Sequence, residues 1–404
     1  MKRLLILVII LGGICAAHGQ GWQKVTPTPQ PRRLNAVCFT DASRGYAAGD
    51  NGTILNTLNG GLTWEAQASA TNYTLNSITF TNATTGYIAG GGWIGTPGCM
   101  LKTTNSGSHW SSIPTGHVDP LMACYFLQTD TGFAVGLYGS ILKTTSAGNA
   151  WQDHRVDSVN FLWSVHFPGT ATGYAVGMAA GSNGGTILKT TDGGATWSHL
   201  TGTTDPLFSV FFINSDTGVA VGNHGTILKT TDGGVNWNAQ TTNLTYPYCL
   251  YSVCFPAATI GYAVGECGTI LKSTDGGTSW KIQTSGIGTN LNAVYFPDPN
   301  HGFAVGDNGI ILITTSGGDG LKENKLSHAM RIYPLPARDH ITVELPDTDP
   351  AGTLMILTIG GEEIRRTCLT GPTTNLDIRN LTKGIYLVRY RKDQKTETGK
   401  LIVE

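Results

Sequence analysis

The sequence predicts an all-β protein, a seven-bladed β-propeller followed by a small Ig-like β-sandwich. Three observations carry this. The 404 residues include 54 glycines, with 40% hydrophobic and only 13% charged residues, which is the profile of a turn-dense β protein and not of a disordered chain. An L-x-S-V-x-F strand followed by a G-Y-A-V-G strand begins at Leu34, Leu75, Leu121, Leu162, Leu207, Leu250 and Leu291, at intervals of 41, 46, 41, 45, 43 and 41 residues. Multi-strand periods of roughly 40–50 residues are propeller blades. After residue 320 the repeats stop and charged residues become denser, marking a second domain.

Taken in order, residues 1–19 read as a signal peptide. Lys2 and Arg3 precede an apolar run, and Ala16, Ala17 and Gly19 supply the small residues of a cleavage site. The run is shorter than the ~20 residues of a membrane helix. Residues 20–320 form the ring. Its clearest unit, GTILKTTDGGATW at 185–197, recurs as GTILKTTDGGVNW ending at Trp237 and GTILKSTDGGTSW ending at Trp280. Thr186, Ile187 and Leu188 favour a strand, and Asp-Gly-Gly favours a hairpin. Asp192 is placed to accept hydrogen bonds from turn amides. Trp197 is large enough to lock the hairpin onto the next sheet. Leu321 stands where the last unit should carry its tryptophan, while Trp22 begins the stray strand-like stretch 22–25. That stretch is expected to complete the seventh blade and remove an open edge.

The eight-residue run S/T-x-D-x-G-x-T-W is the Asp-box, the repeat of bacterial neuraminidases. It is complete at 190–197, nearly complete at 230–237 and 273–280, and degraded at 57–64, where Asn59 replaces the aspartate before Trp64. Its residues, Asn59, Asp192, Asp232, Asp275, Trp64, Trp197, Trp237 and Trp280, read as structural. With GYAVG…GTILKTTDGG, the array over roughly 22–320 resembles the photosystem II stability and assembly factor family of seven-bladed propellers. The resemblance implies the ring and no site, because a shared fold does not carry a shared function. A sialidase is not expected. Such enzymes clamp a carboxylate with three arginines, and the ring offers only Arg32, Arg33, Arg44 and Arg155.

Propeller ligands usually sit on the face made by the loops between second and third strands. Those loops present Asp50, Trp93, Tyr138, the insert 178–183, His224, Glu266 and Asp307. Trp93 is the best aromatic contact for a sugar or peptide. Asp50, Glu266 and Asp307 occupy equivalent places on neighbouring blades, where they would bind a cation, a basic peptide or hydroxyls. Their plain reading is a solvated rim. As the alternative function, they would serve a glycoside hydrolase, which needs two carboxylates roughly 5–10 Å apart. Lys102, Lys143, Lys189, Lys229 and Lys272 share one repeat position and read as solvated or snorkelling strand residues.

The polar stretch 321–329 reads as a linker. Within 330–404, strands are expected at 341–345, 353–359, 375–378, 384–391 and 399–403. Ile332-Tyr333-Pro334-Leu335-Pro336-Ala337, then IGGEEIRR, LDIRNLTKGIYLVRY and terminal GKLIVE, resemble the type IX secretion (type A) sorting domain. Leu335 departs from that family's YPNPA opening. The resemblance implies recognition by the outer-membrane translocon, removal of the domain, and release or attachment at the cell surface.

Without Lys2 and Arg3 the chain carries 24 basic and 27 acidic residues, a net of −3, and no basic tract suited to nucleic acid. Cys38, Cys99, Cys124, Cys249, Cys254, Cys267 and Cys368 show no metal-ligand spacing and read as small buried residues. The expectation is therefore a secreted or surface-attached, non-enzymatic binding module. It needs no cofactor or metal, and its partners are the secretion machinery and a surface protein or glycan.

Overall fold

The computed structural model describes residues 21–404 except 27, 93–96, 157–159, 180–183, 201–202, 320–329, 346–351, 370, 372 and 393–394. The expected signal peptide, the whole of the linker, Trp93 and most of the insert 178–183 lie outside the described residues. The chain divides into two compact units, Met1–Leu321 and Lys322–Glu404.

The first unit is a seven-bladed propeller, with seven antiparallel sheets following one plan. In blade one the strands are Leu34–Phe39, Gly45–Gly49, Ile54–Thr57 and Glu65–Gln67, ordered from the axis outward. Blade six adds Thr241–Thr242, paired in parallel with its outer strand Ser279–Gln283. Blade seven supplies Leu291–Tyr295, Gly302–Gly306 and Ile311–Thr314, and its fourth strand is Gln23–Lys24 from the start of the chain. Gln23 pairs with Ile313 and Lys24 with Leu312. Trp22 is fully buried there, edge-on to Phe296 at 5.6 Å, and its Nε1 donates to Gln283 Oε1 at 2.9 Å. A ring sewn shut by its own N-terminal strand has no free edge at the seam.

The core lies between blades and not within them. Leu34, Val37, Phe39, Ala47, Leu55 and Trp64 of blade one pack with Phe303, Val305 and Ile311 of blade seven. In six of the seven blades the phenylalanine at the end of the inner strand stacks on the ring opening the second strand of the preceding blade; Phe255 of blade six meets Val219 there instead. Phe39 on Phe303, Phe126 on Tyr87 and Phe296 on Tyr262 have centroids 3.9, 3.8 and 3.7 Å apart. This fixes Gly45, because a Cβ there would fall 2.5 Å from the Phe39 ring.

The Asp-box turns satisfy themselves. Asp192 Oδ1 accepts the amides of Ala195 and Thr196 at 3.0 and 2.9 Å, while the hydroxyl of Thr196 donates to Oδ2 at 2.6 Å. Asp275 repeats this, Asp232 accepts the Asn236 amide and, at 2.8 Å, its side-chain Nδ2, and Asn59 keeps the backbone part with its amide oxygen, 3.0 Å from Thr63 N. Hydrogen bonds hold the Asp192 and Asp232 carboxyls below the ordinary range. Trp64, Trp197 and Trp280 are buried, and Trp237 is half-buried.

The repeated lysines are not simply solvated. Lys102, Lys189 and Lys272 donate to Ala147, Gly233 and Gly317 carbonyls of the next blade's turn at 2.7, 2.6 and 3.0 Å. Tyr87, Tyr174 and Tyr262 donate to the same oxygens. These three turns are thereby docked on their neighbours. The cysteines also divide: all seven are free, Cys38, Cys99 and Cys124 are buried, but Cys267 and Cys368 are exposed.

The second unit has two antiparallel sheets around one core that includes Ile341, Leu354, Val388 and Leu401. Arg331–Tyr333 and Glu363–Cys368 are strands that the alternation pattern did not indicate. The second is exposed along its length, which removes the apolar alternation that would announce it.

Candidate axial binding site

In every blade the pairing of the first two strands slips by one residue just after the leading leucine, as between Leu34 and Ala36 or Leu162 and Ser164. The residue left over is a β-bulge, a device that re-aims one side chain. These residues are Asn35, Asn76, Met122, Trp163, Phe208, Tyr251 and Asn292, and all seven line one cavity of about 540 Å³. Opposite each bulge stands the last glycine of the second strand. A Cβ at Gly265 or Gly306 would fall 1.9 Å from the carbonyl oxygen of Cys249 or Asn290, where the chain enters the inner strand. The site is therefore built at the axis, with one residue from each blade.

The ring has two halves. On blades seven, one and two it is polar, and each amide staples one blade to the next. Nδ2 of Asn292, Asn35 and Asn76 donates to the carbonyls of Leu34, Leu75 and Leu121 at 2.9, 3.1 and 2.9 Å. Arg33 joins this half, with Nη2 at 3.2 Å from Asn292 Oδ1 and Nε at 3.2 Å from Asp307. On blades four to six the ring is aromatic. Trp163 and Phe208 have centroids 5.0 Å apart, Phe208 and Tyr251 5.6 Å, and Phe161 lies 6.4 Å from Trp163. Met122 of blade three sits between the halves.

The expected loop residues meet this site unequally. Asp50, Glu266 and Asp307 each open a short loop after the second strand, and their carboxylates turn back to the bulge residue of their own blade. Asp50 accepts from Asn35 at 3.1 Å, Asp307 from Asn292 at 3.0 Å, and Glu266 from the Tyr251 hydroxyl at 3.1 Å and the Cys249 amide at 2.9 Å. Burial, with Glu266 beside it, pushes the Tyr251 hydroxyl pKa up. Asp50 lines the cavity itself. Tyr138 and His224 stand one place later in the loop, at the position with φ of 58° and 51°. His224 points to Asp205, Nδ1 to Oδ1 2.7 Å, with most of its side chain exposed. Tyr138 lies 6.1 Å from Phe161 at the edge of the aromatic half. Trp93 lies outside the described residues, although Gly91 and Gly92 before it line the cavity.

Sequence reasoning missed the bulge residues, which fall at the unspecified second place of L-x-S-V-x-F. The available signal was variation: an otherwise constant strand reads Asn, Asn, Met, Trp, Phe, Tyr and Asn there.

One other cluster invites a chemical reading. Ser140 Oγ lies 2.8 Å from His117 Nε2, and His117 Nδ1 lies 3.7 Å from Asp153. It is not a nucleophile. Ser140 is fully buried and spends its proton on the Leu137 carbonyl at 2.7 Å. Thr53 makes the same turn-closing bond to Asp50 O in blade one. Arg155 completes the cluster through Asp119 at 2.7 Å. Farther along the blade-four inner strand, His166 lies between Tyr125 and Phe211 and accepts from Phe212 N at 3.3 Å. Burial pushes its pKa down to about 4, so it is neutral at pH 7.

Among solved structures, a chain titled "YCF48 bound to D1 peptide" is 22% identical, with TM-score 0.62, over 73% of this chain and 96% of that one. YCF48 from Cyanidioschyzon merolae is 21% identical, TM-score 0.59, over 73% and 98%. A GH74 xyloglucanase from Xanthomonas campestris is 14% identical, TM-score 0.60, over 94% and 69%. PorZ, a bacterial surface component of the type IX secretion system of Porphyromonas gingivalis, is 14% identical, TM-score 0.53, over 90% and 58%. At these identities the likeness is one of fold. No curated protein matches the chain. The secretion system C-terminal sorting domain family matches residues 331–404. The family described as photosynthesis system II assembly factor YCF48 matches residues 15–120, 201–285 and 242–315, more than half of the chain. By that match and its ring of seven sheets, the chain belongs to the YCF48 assembly-factor family, with a secretion sorting domain at its C-terminus.

Proposed function

We propose that this protein is a secreted or cell-surface propeller that binds a ligand at the mouth of its axis, without catalysis. Its C-terminal domain is the part addressed to the secretion machinery. The observation that carries the reading is the bulge ring, where every blade contributes one side chain to a single cavity. Cavities of about 300–1,000 Å³ with apolar walls and a few placed polar groups are the usual form of a ligand site. The family supplies a precedent, since one YCF48 structure holds a D1 peptide.

The hydrolase alternative finds less support. Asp307 is paired with Arg33, and Glu266 is held by Tyr251 and the Cys249 amide. Each is engaged in holding its own blade. The PorZ likeness and the sorting tail fit export to the surface.

The test is capture. The mature chain and its Trp163→Ala/Phe208→Ala variant are run against arrayed surface glycans and envelope proteins, with equal melting curves as the folding control. A partner retained by the first and lost by the second is the expected result. Equal capture by both would place the site elsewhere on the ring.

A further inference from the structure

We infer that the axial site takes a short neutral glycan. This rests on the reading of the mouth as a binding site and names its ligand class. Among the described residues the ionised side chains lining the cavity are Arg33 and Asp50, of opposite sign; behind them Asp307 is paired with Arg33 and Glu266 is held by Tyr251, so a polyanion is opposed and the negative charge left for a polycation is already hydrogen-bonded within the ring. A neutral ligand meets no such conflict.

The polar groups narrow the choice further. The amide nitrogens of Asn35 and Asn76 are spent on backbone carbonyls, so these residues offer a ligand their oxygens. Asp50 offers the carboxylate oxygen that Asn35 does not use, and the Arg33 fork offers donors beyond those given to Asn292 and Asp307. Acceptors and donors thus stand together on one half of the ring. A sugar hydroxyl both donates and accepts, so neighbouring hydroxyls satisfy such a mixed set in pairs.

A peptide is less well served. Peptides that bind propeller-like sheets through their backbone need an open strand edge. Here the axis-side edges of the inner strands are open, but the cavity is lined by one bulge residue from each of the seven, so no single strand offers it a run of backbone groups.

The opposite half supplies what a sugar ring lacks in polarity. Trp163, Phe208 and Tyr251 form a continuous aromatic arc, with neighbouring centroids 5.0 and 5.6 Å apart. An aromatic face carries partial negative charge, and the axial C–H bonds of a pyranose carry partial positive charge, so the flat side of a sugar stacks on such a face. One side of the ligand is hydroxylated, the other is a C–H face, and the cavity is divided in the same way.

The experiment titrates the mature chain with N,N′,N″-triacetylchitotriose, maltotriose and cellotriose, with a Lys/Arg-rich peptide as the opposing probe. Binding is followed by tryptophan fluorescence and calorimetry. At least one trisaccharide should bind saturably and release little heat-capacity change beyond that of its stacked face. Trp163→Ala and Asp50→Asn should each weaken it about tenfold or more, the loss of a stacked face or a charged acceptor. Phe208→Ala repeats the aromatic test should Trp163→Ala alter the melting curve. Failure of every trisaccharide to bind overturns the inference. If the peptide binds instead and Trp163→Ala abolishes it, the glycan is wrong while the axial site stands. Trisaccharide binding untouched by all three substitutions overturns both.

Discussion

The Asp-box turns and the axial mouth are made by the same repeat and obey opposite rules. At the turns, blade after blade uses one residue set for one purpose. Asp192, Asp232 and Asp275 each close their own loop, and lysines of the preceding blade reach the second and third of these, Lys189 at Gly233 and Lys229 at Thr278. At the mouth the backbone is equally regular, with a bulge in every blade, yet the side chains run from asparagine to tryptophan. What repeats in identity serves the ring. What repeats only in position is free to make the ring asymmetric, and asymmetry is what a ligand can read.

The largest effect should come from the closure, on the structural side of this comparison. Trp22→Ala removes a fully buried indole and its bond to Gln283. Such truncations cost about 3–5 kcal/mol. In a unit of this size that lowers the melting temperature by roughly 10 °C, measured by calorimetry. An unchanged melting curve would mean that the N-terminal strand is dispensable to the ring.

Next comes acid. His166 has a folded pKa of about 4 against an ordinary value of 6.5, caused by burial. Between those values the unfolded chain binds a proton that the folded chain refuses. The stability this group allows is therefore complete above pH 6.5 and is lost as the pH falls towards 4, on the order of 3 kcal/mol. His166→Phe should flatten the melting-temperature profile across that window, whatever its effect at neutral pH. An unaltered slope would assign the acid sensitivity to other groups.

A smaller loss is expected at Asn292, which belongs to both sides of the comparison. It lines the cavity and also staples blade seven to blade one through Leu34 O. Asn292→Ala should cost about 1–3 kcal/mol, the price of a buried hydrogen-bonding group left without its partner. Chemical denaturation compares it directly with Trp163→Ala.

The same division decides what was legible in the chain. Asp192, Trp197 and their copies could be read because repetition makes a pattern visible, and Trp22 because its distance to Leu34 matches the spacing of later blades. The carboxylates Asp50, Glu266 and Asp307 were legible as equivalent positions. Their direction was not, because it depends on which loop residue takes positive φ, and that residue is Asn51, Cys267 or Asn308. Tyr138 and His224 were grouped with them, although each stands at the positive-φ place and not at the inward one. Trp163, Phe208 and Tyr251 escaped notice for a different reason. A bulge leaves no mark on periodicity, and a position that changes residue in every copy disappears from a consensus.

The last prediction sets stability against binding at one residue. Trp163 is only half-buried, and its main described partners are Phe161 and Phe208 at 6.4 and 5.0 Å. Trp163→Ala should therefore cost about 1 kcal/mol, the scale of an aromatic pair, well below the loss at Trp22. Two tryptophans of one ring would then differ severalfold in their worth to folding, in the order that burial dictates. If Trp163→Ala proves as damaging as Trp22→Ala, the aromatic arc is part of the core, and its asymmetry needs no ligand to explain it. If the cost is small, the fold has little use for that indole where it stands. A tryptophan kept at the mouth of a cavity at little benefit to the ring is then accounted for by what it binds.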